Sequence, residues 1–150
     1  MNMDQPATNI DTIAKTCIAG RLRLINRVVS SIYDDALRPF GLKISQGNIL
    51  IFTGKLGVAS PVQICEYLQL DASTLSRNVE LMRKNGWLEE VPGEDARSRP
   101  FRLTDAGKRL IESAIPAWEK AQAEAKELLG DDFVSSLNKA AKRASESNRA

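Results

Sequence analysis

Five polar side chains crowd the stretch Ser73-Thr74-Leu75-Ser76-Arg77-Asn78. Ser73, Thr74, Ser76, Arg77 and Asn78 offer hydroxyls, a guanidinium and an amide, the groups that hydrogen-bond base edges and phosphates in a DNA major groove. The same residues would also serve as a plain capped helix start facing water. Arg97, Arg99 and Arg102 gather further along, whereas Glu112, Glu119, Glu124, Glu127, Asp131 and Asp132 load the later part of the chain. That separation fits a nucleic-acid face with an acidic far side. Catalysis is poorly served. With no histidine, no phosphate-cradling glycine loop and no paired carboxylates on a defined cleft, neither an enzyme nor a cofactor is expected. Two isolated cysteines without histidine give no zinc site.

The polar cluster needs a rigid support, and the flanking sequence supplies one. Ser60-Pro61-Val62-Gln63 opens a helix with a capping serine, a proline suited to the first position and a glutamine that completes a capping box. Ile64, Tyr67 and Leu68 give it an apolar side. Asp71 caps a second helix, Ala72 to Lys84, with Leu75, Val79 and Met82 inward and Asn85-Gly86 ending it. A strand from Trp87 to Val91, a Pro-Gly-charged loop and a strand from Phe101 to Leu103 follow. Two short helices with a tight turn and a hairpin make a winged helix-turn-helix, the topology of a DNA reader.

Around this lobe, placed at 45–103, the chain reads as helical. Residues 1–12 form a polar, disordered lead-in. Ile13 to Leu37 has the period of one long helix, with Ile18, Leu22, Ile25, Val29, Ile32 and Ala36 in a stripe widened by Cys17, Leu24 and Val28. This helix and its connection make a dimerisation segment over 13–44. Ser45 is expected to cap a nearly apolar helix, Gln46 to Leu56, buried on most sides. Over 104–150, Thr104 caps a long helix that Pro116 should bend. Asp131 then caps a last helix with Phe133, Leu137, Ala140 and Ala144 inward. The fold class is mainly α with a small β-hairpin wing (α+β).

The chain has 150 residues and a formal charge of +2, so charge alone neither demands nor excludes nucleic acid. It has no apolar run long enough for a membrane span and no signal-peptide core, which points to the cytoplasm, where a structural disulfide is not expected.

The order of elements resembles the MarR family of bacterial transcription regulators. The resemblance is carried by Leu75-Ser76-Arg77-Asn78-Val79-Glu80-Leu81-Met82-Arg83-Lys84-Asn85-Gly86-Trp87-Leu88, by Asp95-Ala96-Arg97-Ser98-Arg99-Pro100 and by Leu103-Thr104-Asp105-Ala106-Gly107. These look like the family's recognition helix, its D-x-R wing motif and its entry to the following long helix. The resemblance implies a homodimer interlocked through its first and last helices, two winged lobes on double-stranded DNA, and a small-molecule pocket between lobe and dimer core. It also implies a transcription repressor at the nucleoid, acting on an inverted-repeat operator.

Arg97 falls where the family has its minor-groove arginine. A narrow minor groove concentrates negative potential that a projecting arginine can enter. Asp95 would orient the wing by holding Arg77 or Arg97, the plainer alternative being a solvated charged turn. Arg99 suits a phosphate. A pocket would be lined by Phe40, Phe52, Ile115 and Trp118 and would take a small aromatic or amphipathic ligand. Cys17 lies where the family's thiol sensors carry their reactive cysteine, yet it also fits the apolar stripe, and packing is the favoured role. Cys65 reads as core. The other functions to weigh are a redox-sensing regulator acting through Cys17 and a protein-interaction winged helix that binds no DNA.

Overall fold

The structure, a computed structural model, describes residues 9–92 and 98–148. Helices α1 (Asn9–Thr16), α2 (Ile18–Leu37), α3 (Ile44–Leu56), α4 (Pro61–Leu68) and α5 (Ala72–Lys84) lead into the strands β1 (Leu88–Glu90) and β2 (Phe101–Leu103). Then come α6 (Asp105–Leu129) and α7 (Asp131–Ser147). This is the expected mainly α fold with a two-stranded wing.

The helix-turn-helix forms as its capping residues dictate. Ser60 Oγ accepts from the Gln63 N–H at 3.3 Å, and Gln63 Oε1 accepts from the Ser60 N–H at 2.9 Å, so both halves of the capping box are made. Gln69 turns the chain in the left-handed region at φ 54°. That turn lets the Leu70 N–H reach the Cys65 carbonyl at 3.0 Å, closing α4. The strands pair antiparallel with Leu88 opposite Leu103, Glu89 opposite Arg102 and Glu90 opposite Phe101. β1 is shorter at both ends than the expected Trp87–Val91. Ala59 exchanges two backbone hydrogen bonds with Phe101, each 2.9 Å, and so ties the start of the helix-turn-helix to the wing.

One apolar core sits inside the lobe. Ile49, Leu50, Ala59, Ile64, Leu75, Met82 and Phe101 are fully buried, and Leu37, Leu42, Leu88, Leu103 and Ala114 complete the cluster. Elsewhere burial is sparse. α2 lies along α6, and the Tyr33 hydroxyl donates to Gln122 Oε1 across them. Yet Ile18, Leu22, Leu24 and Val28 stay exposed. α7 buries no residue, so the inward side expected for Phe133, Leu137, Ala140 and Ala144 has no complete cover within one chain.

Several boundaries differ from the sequence reading. Helix begins at Asn9, inside the segment read as disordered, and the expected single helix breaks at Cys17, whose ψ of 114° is extended. Thr16, just before the break, bonds its hydroxyl back to the Thr12 carbonyl, a contact that bends helices. Gly20 then weakens propagation on the far side. Ser45 is not the cap of α3; that place belongs to Lys43. Gln46 Oε1 accepts the Lys43 N–H at 3.1 Å, and Asp34 of α2 accepts the Ile44 N–H at 2.7 Å. α3 is not buried on most sides, because Ile51 and Leu56 face outward. Tyr67 is also exposed, its ring lying 4.1 Å from that of Phe52. Asp131 is the first residue of α7 and Gly130 occupies its cap, since Gly130 takes the positive φ of 80° at the junction. Pro116 lies within α6, which continues past it as one helix.

Candidate nucleic-acid interface

Asp71 organises the start of α5. Its Oδ1 accepts from the Ser73 hydroxyl and the Thr74 N–H, both at 2.7 Å, and its Oδ2 accepts from the Thr74 hydroxyl at 2.7 Å. The Ser73 hydroxyl first, then the two Thr74 donors and the charge of Arg77, hold the Asp71 carboxyl well below the usual carboxylate range. A folded pKa below the unfolded one stabilises above the unfolded pKa and loses that contribution as pH falls. Urea midpoints measured against pH should therefore decline below about pH 4, and Asp71→Asn, which cannot ionise, should flatten that decline.

Of the five residues singled out on α5, two thus spend their hydroxyl protons on the cap. Ser73 and Thr74 keep only acceptor capacity toward a base or water. The Asn78 amide donates to the Thr74 carbonyl at 3.0 Å and is half-buried. Ser76 and Arg77 remain exposed one turn into the helix, and Arg77 makes no ion pair within 4 Å among the described residues. They are the groups best placed to meet an external ligand.

The described residues of the wing carry charge in balance. Arg99, at φ 37°, places Nη2 at 2.8 Å and Nε at 3.0 Å from Glu90 Oε1. Arg83 of α5 approaches the same oxygen at 3.5 Å and also pairs with Glu80 at 3.3 Å. Arg102 pairs across the strands with Glu89 at 2.8 Å. Arg99, expected as a phosphate contact, is thus engaged with a carboxylate. These pairs were not found from sequence, since only the strand register brings Glu90 beside Arg99 and α5. A groove of about 190 Å³ runs between α5 and the wing, lined in part by Pro61, Ser76, Arg83, Glu90 and Arg99. Asp95 and Arg97 lie outside the described residues.

The wing is anchored to α6 at its other end. Thr104 Oγ1 donates to the Gly86 carbonyl at 2.6 Å and accepts the Gly107 N–H at 3.0 Å, while the Thr104 N–H donates to the Trp87 carbonyl at 3.0 Å. A Cβ on Gly107 would stand 2.3 Å from that same carbonyl oxygen. The Leu-Thr-x-x-Gly run is therefore a cap plus a close approach.

A model of the MarR family matches residues 40–98, which is the helix-turn-helix and much of the hairpin. A solved transcriptional regulator of Mycobacterium tuberculosis, MosR in complex with DNA, is 30% identical, covers 86% of this chain and 98% of its own, and superposes with a TM-score of 0.71. The chain belongs to the MarR family. The uncharacterised HTH-type regulator YwoH of Bacillus subtilis is 30% identical over 86 residues, an alignment spanning 63% of that relative and therefore under two thirds of it. The fold of a mutant Escherichia coli MarR, solved with operator DNA, covers 89% of this chain at TM-score 0.78 and 23% identity. The likeness thus reaches beyond the lobe to the flanking helices.

The four residues expected to line a MarR-type pocket do not converge on a described cavity. Phe40 and Phe52 pack against the core, whereas Ile115 and Trp118 are exposed on α6. The larger groove, about 680 Å³ between α2 and α6, is lined by others, including Leu24, Val28, Ile32 and Ala121. Cys17 is exposed at the helix break and does not have the packed position favoured from sequence. Cys65 is partly buried against the core, and burial, with the nearby Asp71 charge, pushes its thiol pKa up. No metal-binding cluster occurs among the described residues. No described helix is long and apolar enough to cross a membrane.

Proposed function

We propose that this MarR-family chain is a sequence-specific DNA-binding transcription regulator, a repressor that acts as a homodimer on an inverted-repeat operator. The observation that carries the reading is the exposed Ser76–Arg77 face of α5, set on a lobe with its own core and flanked by the wing. A cation with no ion-pair partner among the described residues, on a capped helix of a winged lobe, fits the major groove. The DNA in the Mycobacterium tuberculosis relative's structure supports the same assignment, as does the uncovered apolar side of α2 and α7 for the homodimer. A two-fold dimer favours half-sites roughly 10 bp apart or a small multiple of it. Arg97 would enter the flanking minor groove, with Asp95 orienting it. The releasing signal we propose is a small aromatic or amphipathic ligand; exposed Ile115 and Trp118 supply apolar surface for it. Regulators of this kind act in the cytoplasm without catalysis.

Selection of bound duplexes from a random pool tests the assignment. The expected motif has dyad symmetry. Arg77→Ala should lower affinity for it roughly tenfold, in keeping with about 1–3 kcal/mol for a good arginine contact, with little change in the urea midpoint. A motif without symmetry would overturn the dimeric model, and binding unchanged by Arg77→Ala would remove α5 as the reader.

A further inference from the structure

Two guanidiniums from different elements, Arg83 of α5 and Arg99 of the wing, converge on one oxygen of Glu90. Convergence of two arginines on a single anionic oxygen is also how a protein holds a phosphate. Here the anion belongs to the protein itself. Arg99 and Glu90 are exposed, at 66% and 41%, and Arg83 is half-buried at 36%. Ion pairs that wet add little to stability, so the fold has small need of the arrangement. Its main consequence is electrostatic. Glu80, Arg83, Glu90 and Arg99 sum to zero charge along the groove between α5 and the wing, where a duplex read by Arg77 would run. Strand alternation sets Glu90 on the α5 side, lining that groove, while the Glu89–Arg102 pair does not line it.

We propose that Glu90 is an internal anion that competes with DNA phosphates for Arg83 and Arg99, and thereby limits non-specific binding. The inference rests on the DNA-binding reading above. In a loose encounter with random sequence the arginines stay with Glu90 and contribute no phosphate contact. Close docking on the operator brings a phosphate near enough to displace the carboxylate. Glu90 is a positioning residue in this scheme and itself touches no DNA.

Salt titrations of binding to random duplex and to the selected operator test this with wild type, Glu90→Gln and Glu89→Gln. For random duplex, Glu90→Gln should bind about tenfold more tightly at low salt. The log–log salt slope should steepen by about 2, because each newly neutralised phosphate adds roughly 0.9. The operator slope should stay as in wild type, since both arginines are already engaged there, so the specificity ratio falls. Glu89→Gln makes the same charge change outside the groove and should leave the random-duplex slope nearly unaltered. Adding Arg83→Gln and Arg99→Gln to Glu90→Gln should restore the wild-type slope. Equal effects of Glu89→Gln and Glu90→Gln, or no effect of either, overturn the proposal. Weaker binding of Glu90→Gln to both duplexes would overturn it too, making Glu90 a support for the wing. Wild type that binds no duplex at any salt would instead sink the DNA-binding reading itself.

Discussion

Gly107→Ala should destabilise the protein by about 3 kcal/mol, the upper end of what a forced overpacking costs. One methyl group produces this because the added carbon would stand 2.3 Å from the Trp87 carbonyl oxygen and 3.3 Å from its Cα, which are backbone atoms that cannot rotate away. Relief requires α6 to back off from the wing. That movement stretches the Thr104 N–H bond to Trp87 and the Thr104 hydroxyl bond to Gly86. Gly47→Ala is the control. A Cβ there meets nothing within 4 Å inside α3, so the same substitution should stabilise by about 0.5–1 kcal/mol through helix propensity. Urea unfolding of both variants gives the comparison, and shifts of the same sign would contradict it. Gly107→Ala should also weaken operator binding per folded molecule, because the wing is hung from this joint.

The contrast between those two glycines marks what the sequence could and could not reveal. Caps were legible because their chemistry is local. Ser60, Asp71 and Thr104 each act within three residues, and all three cap the helices expected of them. The wing's second strand, Phe101–Leu103, was legible for the same reason. Lys43 and Asp34 at the start of α3 were not, since a carboxylate ten residues away on another helix leaves no local pattern. Ser45 has the residue type of a cap but stands as the second residue of the helix, two past the true cap. The break at Cys17 was masked by an apolar stripe that continues across it. At the site, residue type pointed to Ser73, Thr74 and Asn78, but the Asp71 cap takes the hydroxyl protons of Ser73 and Thr74 and the Thr74 carbonyl takes one of the two Asn78 amide protons. The partners of Arg99 depended on strand register. Periodicity identifies a face, and it cannot say which polar atoms on that face are already engaged.

Leu22→Asp should convert the dimer to monomers and, through that, cost operator affinity a hundredfold or more. Leu22 is 51% exposed in the isolated chain, on a helix that also leaves Ile18, Leu24 and Val28 uncovered. α7 adds exposed Leu137 and half-buried Phe133 and Val134 without burying any residue of its own. So much apolar surface on two helices is what a second copy would cover. A carboxylate at position 22 would enter that contact twice by symmetry, with no partner, at a cost of several kcal/mol for each buried charge. The lobe should survive, because its fully buried Ile49, Leu50, Ile64, Leu75, Met82 and Phe101 lie off α2 and α7, and the one core residue that α2 gives, Leu37, is at the far end of the helix from Leu22. Each monomer would then hold one half-site and lose the effective-concentration advantage of two linked lobes, worth about 10²–10⁴ in affinity. Light scattering and anisotropy on the same sample separate this from damage to the reader: Leu22→Asp should be monomeric with its residual half-site binding intact, while Arg77→Ala should remain dimeric and still bind poorly. A Leu22→Asp protein that stays dimeric would move the interface off α2.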